Sequence, residues 1–89
     1  MTQPVTIYTT LLCPYCHRAK KLLKSKGVGY DEINVSRASD RAAMTERAGG
    51  AHTVPQIFIG EVHVGGCDEL YALEQAGQLD GLLKGDAHA

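Results

Sequence analysis

Apolar side chains recur along this chain with two different periods, and the switches between them divide it into elements. Within residues 5–9, Val5 and Ile7 alternate with polar neighbours, the period of a strand with one face buried. From Pro14 to about Lys26 the period lengthens: Cys16, Ala19, Leu22 and Leu23 form an apolar stripe on a segment otherwise rich in Lys and Arg, as on an amphipathic helix. Gly27 supplies its stop. Residues 30–35 read as a second strand; a strand, helix and strand in this order predict a right-handed crossover between parallel neighbours.

Residues 37–48, Ala-rich with scattered charge and followed by Gly49-Gly50, predict a second helix. The run Ile57-Phe58-Ile59 within 56–59 is continuous rather than alternating, so this strand is expected at the centre of the sheet with both faces covered. Gly60-Glu61 separates it from Val62-His63-Val64, a hairpin signal that makes the second half antiparallel. Residues 68–76 predict a helix with Asp68 available as its cap and Gly77 as its end, followed by a turn through Leu82-Leu83 and a frayed tail over 85–89. This order fits an α/β fold: a four-stranded mixed sheet with helices on both faces, in one domain spanning 1–89 with its core at about 4–84.

Composition narrows the function classes. The chain is 44% apolar and 21% charged with a net charge of -1, so it lacks the one-sided basic field that a phosphate-backbone binder needs. No long apolar segment and no charged-then-apolar leader pattern opens it, so neither a nucleic-acid nor a membrane partner is expected, and a cytoplasmic location is. Three cysteines cannot all pair within one chain, which points to chemistry rather than a structural disulfide framework.

Two of the three form Cys13-Pro14-Tyr15-Cys16, between the first strand and the first helix. A disulfide-exchange catalyst needs one sulfur that ionises near neutral pH and a second within bonding reach. Cys13 falls at the helix N-terminus, where unpaired N–H groups and the helix dipole favour a thiolate and a lowered pKa. Cys16 lies one turn on and shares the buried stripe, which predicts an exposed attacking sulfur at Cys13 and a shielded resolving thiol at Cys16. Pro14 suits the first helical turn and stiffens the ring. A zinc site completed by Cys67, His17 or His63 is disfavoured because no second ligand pair of metal spacing exists.

Taken together, Cys13-Pro14-Tyr15-Cys16, Thr53-Val54-Pro55 and Gly65-Gly66-Cys67-Asp68 resemble the bacterial dithiol glutaredoxins of the glutaredoxin-3 type, over about residues 5–83. The resemblance implies the thioredoxin fold, a cis bond before Pro55, and a glutathione-dependent oxidoreductase that reduces protein-glutathione mixed disulfides and protein disulfides. It further implies a glutathione groove made by Tyr15, Thr53, Val54, Gly66, Cys67 and Asp68, with glutathione as co-substrate and no tightly bound cofactor or metal. Asp68 is then the partner of glutathione's ammonium, and Val54 offers backbone groups to a bound thiol peptide. Cys67 serves as a small neutral lining residue.

Implied partners are glutathionylated or disulfide-bonded proteins, ribonucleotide reductase among the candidates, with glutathione reductase acting indirectly on a monomer. Thr10 stands where such proteins usually carry a lysine, which implies a weaker hold on the thiolate and on glutathione's glycyl carboxylate. Arg37, Arg41 and Arg47 are alternative sources of that carboxylate contact. Two rival functions share the resemblance: a thioredoxin reductase-linked donor to ribonucleotide reductase, and a carrier of an iron-sulfur cluster held by thiolate.

Overall fold

The computed structural model describes residues 3–85; of the tail predicted over 85–89, Gly85 caps the last helix and 86–89 lie outside the described residues. The elements follow the order β1 (Val5–Thr9), α1 (Pro14–Ser25), β2 (Asp31–Asn34), α2 (Ala38–Arg47), β3 (Gln56–Ile59), β4 (Val62–Gly65), α3 (Cys67–Gln75) and α4 (Leu79–Lys84). The strands form one sheet ordered β2-β1-β3-β4. β1 pairs in parallel with β2 and antiparallel with β3, which pairs antiparallel with β4.

Side-chain alternation on the strands divides the core in two. Val5 and Ile7 of β1 and Ile57 and Ile59 of β3 point to one face, where Ala19, Leu22 and Leu23 of α1, Leu70 of α3 and Leu79 and Leu83 of α4 cover them. On the other face Tyr8 and Phe58 meet Val35, together with Met44 and Ala48 from α2 and the residue that follows it. β3 is therefore buried along its whole length, as its unbroken apolar run predicts, and helices cover both faces. This is the four-stranded mixed architecture of the thioredoxin fold.

Two sequence expectations need correction. Residues 79–84 form a short helix rather than a turn: Leu79, Leu82 and Leu83 carry the i, i+3, i+4 spacing of one apolar face. The predicted cap of α3 is also displaced. Gly66 is the N-cap and Asp68 lies inside the first turn, because Gly65, at φ +111, redirects the chain out of β4 and starts the helix earlier. Glu69 then reaches back to accept the Gly66 N–H at 2.8 Å, satisfying one of the helix's unpaired donors.

Polar clamps fix the helices that carry the site. Lys26, at the end of α1, pairs with Glu74 of α3 at 2.6 Å and Asp80 of α4 at 3.0 Å, and the Tyr71 hydroxyl donates to the Arg18 carbonyl at 3.1 Å. At the end of β1 the buried Thr9 hydroxyl donates to Glu32 Oε2 at 2.7 Å, and Lys20 donates to the same oxygen at 3.0 Å. The Thr9 hydroxyl first, and Lys20 second, hold the Glu32 carboxyl below its ordinary value of 4.5.

A depressed folded-state pKa means that the unfolded chain binds more protons in acid. Glu32 therefore contributes stability above its ordinary pKa and loses it as the pH falls through the folded value. Urea midpoints of wild type and Glu32→Gln are expected to differ at about pH 7 and to converge as the pH falls through the folded value of Glu32. A gap that persists in acid would contradict this role.

Candidate active site

Antiparallel pairing brings three chain segments to one end of the sheet. β1 ends there at Thr9, β3 begins there at Gln56, and β4 ends there at Gly65. The loop after β1 delivers Cys13, the segment before β3 delivers Thr53, Val54 and Pro55, and the turn after β4 delivers Gly66, Cys67 and Asp68. The β3–β4 pairing shifts register between Ile57 and Phe58, close to the same end.

Cys13 is the N-cap of α1, with Pro14 in the first helical position. Cys13 and Cys16 are joined as a disulfide with their Cα atoms 5.2 Å apart, within the usual range for such a bridge. The Cys16 backbone N–H donates to Cys13 Sγ at 3.1 Å. No acidic side chain occupies the first turn of the helix, so nothing there offsets the positive end of the dipole, and negative charge on Cys13 is favoured on release of the bridge.

The order of shielding follows the sequence expectation but its extent does not. Cys16 is 1% exposed and Cys13 only 7%, whereas Cys13 was expected to be open. The cause is the loop before β3: the Val54 carbonyl oxygen lies 3.9 Å from Cys13 Sγ. The Val54-Pro55 bond is cis, as the family resemblance implies.

A cavity of about 150 Å³ is lined by Tyr15, Thr53, Val54, Pro55, Gly66, Cys67 and Asp68, and its Val54 wall is the residue whose carbonyl oxygen approaches Cys13 Sγ. Residues from three separate segments thus line one open hollow. Gly66 is small for a reason: a Cβ there would come within 3.4 Å of the Pro55 carbonyl oxygen and 3.2 Å of Glu69 Oε1. Tyr15 is 56% exposed at the rim.

Cys67 is buried and unpaired among the described residues, and burial pushes its thiol up despite the opposing pull of Arg18. It is expected to be inert. Iodoacetamide at neutral pH should label Cys13 of the reduced protein at least about tenfold faster than Cys67; a mass-spectrometric time course with equal rates would contradict this. Among the described residues no cluster of three or more His, Cys, Asp or Glu side chains could hold a metal ion.

One supporting residue escaped the sequence reading. Gln56 is buried, and its Nε2 donates to the Thr53 carbonyl at 3.0 Å and to Thr53 Oγ1 at 3.2 Å. Its Oε1 pairs with His63 Nε2 at 2.6 Å. The amide thus ties the wall of the cavity to the sheet, and its signal in the sequence is a polar residue opening an otherwise apolar central strand. Two of the arginines considered for a carboxylate contact are otherwise engaged. Arg41 donates to the His52 carbonyl at 2.9 Å; Arg47 donates to the Tyr8 hydroxyl at 2.9 Å and lies 4.0 Å over the Phe58 ring.

The glutaredoxin family model matches residues 5–64, from β1 through the cysteine pair to β4. The chain belongs to the glutaredoxin family. It is 57% identical over 81 residues to glutaredoxin 3 of Escherichia coli K12, spanning 90% of this chain and 96% of that one. The solution structure of the Brucella melitensis glutaredoxin superposes with a TM-score of 0.85 at 55% identity, over 99% of this chain and 96% of that one. A buckwheat glutaredoxin-glutathione complex superposes with a TM-score of 0.81 at 35% identity, covering 91% and 76%.

As a glutaredoxin the chain is a glutathione-dependent thiol-disulfide oxidoreductase, and its bridged Cys13 and Cys16 make it the dithiol form. No helix among the described residues is long and apolar enough to cross a membrane.

Proposed function

We propose that Cys13 is the nucleophile, Cys16 the resolving thiol, and the cavity bounded by Tyr15, Thr53, Val54, Pro55, Gly66, Cys67 and Asp68 the seat of glutathione. The observation that carries this reading is the convergence of those residues on one hollow whose Val54 wall places its carbonyl oxygen 3.9 Å from the sulfur that caps α1.

The Cys13 thiolate attacks the glutathione sulfur of a protein-glutathione mixed disulfide. A new bond joins Cys13 to glutathione, the protein-glutathione bond breaks, and the protein leaves as its thiolate. A second glutathione thiolate attacks the Cys13-bound glutathione, regenerating Cys13 and producing oxidised glutathione, which glutathione reductase returns to two thiols with two electrons from NADPH. With a protein disulfide, Cys13 forms the mixed disulfide and Cys16 displaces the protein. The resulting Cys13-Cys16 bridge, the state of the structure, is reduced by two glutathione molecules.

Chemistry assigns the ends of the ligand. The α-carboxylate of the γ-glutamyl group suits the start of α3, where the first N–H groups lack intrahelical partners, and its ammonium suits the Asp68 carboxylate. The Val54 backbone offers a strand-like edge to the cysteinyl part, with the Tyr15 ring beside it. Glutaredoxin potentials of roughly -200 to -230 mV lie near the cytosolic glutathione poise, which suits a cytoplasmic enzyme.

Asp68→Asn tests the assignment. Loss of a charge-assisted bond worth about 1.5 kcal/mol should raise KM for a glutathionylated peptide roughly tenfold with kcat nearly unchanged. An unaltered KM would remove Asp68 from the site.

A further inference from the structure

Seven of the chain's nine leucines are buried or half-buried, while Leu11 and Leu12 are 77% and 90% exposed. Both lie in the loop that delivers Cys13, outside the residues that line the glutathione cavity. Isolated exposed leucines are ordinary on protein surfaces. Here two stand side by side next to the reacting sulfur, with the half-exposed Tyr15 ring on its other side along the chain.

A protein that reacts at Cys13 comes close to this loop. Consecutive Cα atoms are about 3.8 Å apart, so Leu12 is one such step from Cys13 and Leu11 at most about 7.6 Å away. A polypeptide disulfide-bonded to Cys13 would hold its own cysteine Cα within roughly 4.4–6.8 Å of the Cys13 Cα. Residues flanking that cysteine therefore run within side-chain reach of the leucines. The loop carries no charge from Thr10 through Tyr15, so an acidic or basic flank finds no ionic partner there, whereas an apolar flank removes leucine surface from water.

We propose that Leu11 and Leu12 form a protein-substrate docking surface that selects target cysteines flanked by apolar residues. This rests on the assignment of Cys13 as nucleophile and extends it: glutathione is held on the cavity side and the polypeptide on the leucine side. A small disulfide such as cysteine-glutathione has no residues flanking its cysteine and offers the leucines no apolar side chain.

The test compares wild type with Leu11→Ser/Leu12→Ser, using the full chain and three probes. These are cysteine-glutathione disulfide, a peptide closed by an internal disulfide with leucine and valine flanking both cysteines, so that the peptide itself becomes bonded to Cys13, and the same peptide with glutamate and serine there. Wild type is expected to show a KM for the apolar-flanked peptide roughly tenfold below that for the acidic one, the effect of burying about one to two leucine methyl or methylene groups. The double variant should erase that difference while leaving cysteine-glutathione turnover unchanged, and Leu11→Met/Leu12→Met should restore the preference.

Equal KM values for the two peptides in wild type would overturn the docking surface while retained cysteine-glutathione turnover left the nucleophile assignment standing. A preference that survives the serine substitutions would also overturn it. Absence of cysteine-glutathione turnover in wild type would overturn the nucleophile assignment and the docking surface together.

Discussion

Cys13→Ser is expected to lower turnover of every disulfide substrate at least about a thousandfold, since removal of a catalytic nucleophile costs many orders of magnitude. A serine hydroxyl at the start of α1 can cap the helix as well as the cysteine does, so the fold should persist and the loss should be chemical. Cys16→Ser should behave differently. Glutathionylated peptides should still turn over within about tenfold of wild type, because the second glutathione attacks Cys13-bound glutathione without help from Cys16. Protein disulfides should instead accumulate as a mixed disulfide on Cys13, visible on a non-reducing gel, because the displacing thiol one turn along the helix is gone. Equal loss in both variants with small substrates would show that the two sulfurs act as an obligatory pair.

Leu70→Ala is expected to be the most damaging single truncation of the apolar core near the site. Leu70 is fully buried in the cluster where α3 meets α1 and the sheet. Removing its three terminal carbons should cost about 2–5 kcal/mol, the transfer loss plus the cavity left behind. Small domains hold only about 5–15 kcal/mol in total, so Tm should fall by at least about 10 °C. Leu70→Met, which keeps the volume, should cost less than about 1.5 kcal/mol. Comparable thermal transitions for the alanine variant and wild type would mean that α3 is not held by this contact. Because α3 starts at the cavity wall, the alanine variant should also weaken glutathione saturation near its Tm, while Leu70→Met should not.

β1, β3 and α1 are legible because their apolar periods are local and unambiguous. Val5 and Ile7 alternate, Ile57-Phe58-Ile59 is continuous, and Cys16, Ala19, Leu22 and Leu23 share a stripe; each pattern matches the burial observed. The two glycines before Cys67 signal a change of direction, but not that Gly66 rather than Asp68 caps the helix, since that depends on the backbone angle at Gly65. α4 is short, and its three leucines are too few to separate a helix from a turn by period alone.

Burial at the site was the least legible property. Cys13 is shielded by the Val54 carbonyl, which arrives from 41 residues along the chain, and no local pattern encodes that approach. The same holds for Gln56, whose amide bonds depend on where Thr53 and His63 meet. Arg47 reads as a solvated helix residue because its partners, Tyr8 and Phe58, belong to two different strands. Side chains whose roles are set by long-range packing are those that sequence patterns describe least well.

The most direct measurement is NADPH consumption by the wild-type protein with cysteine-glutathione disulfide, supplied either with glutathione and glutathione reductase or with thioredoxin reductase alone. Turnover that requires glutathione, saturates with the mixed disulfide and is absent with thioredoxin reductase is the expected result. No turnover with glutathione, combined with reduction of the Cys13-Cys16 bridge by thioredoxin reductase, would contradict the assignment of the cavity to glutathione.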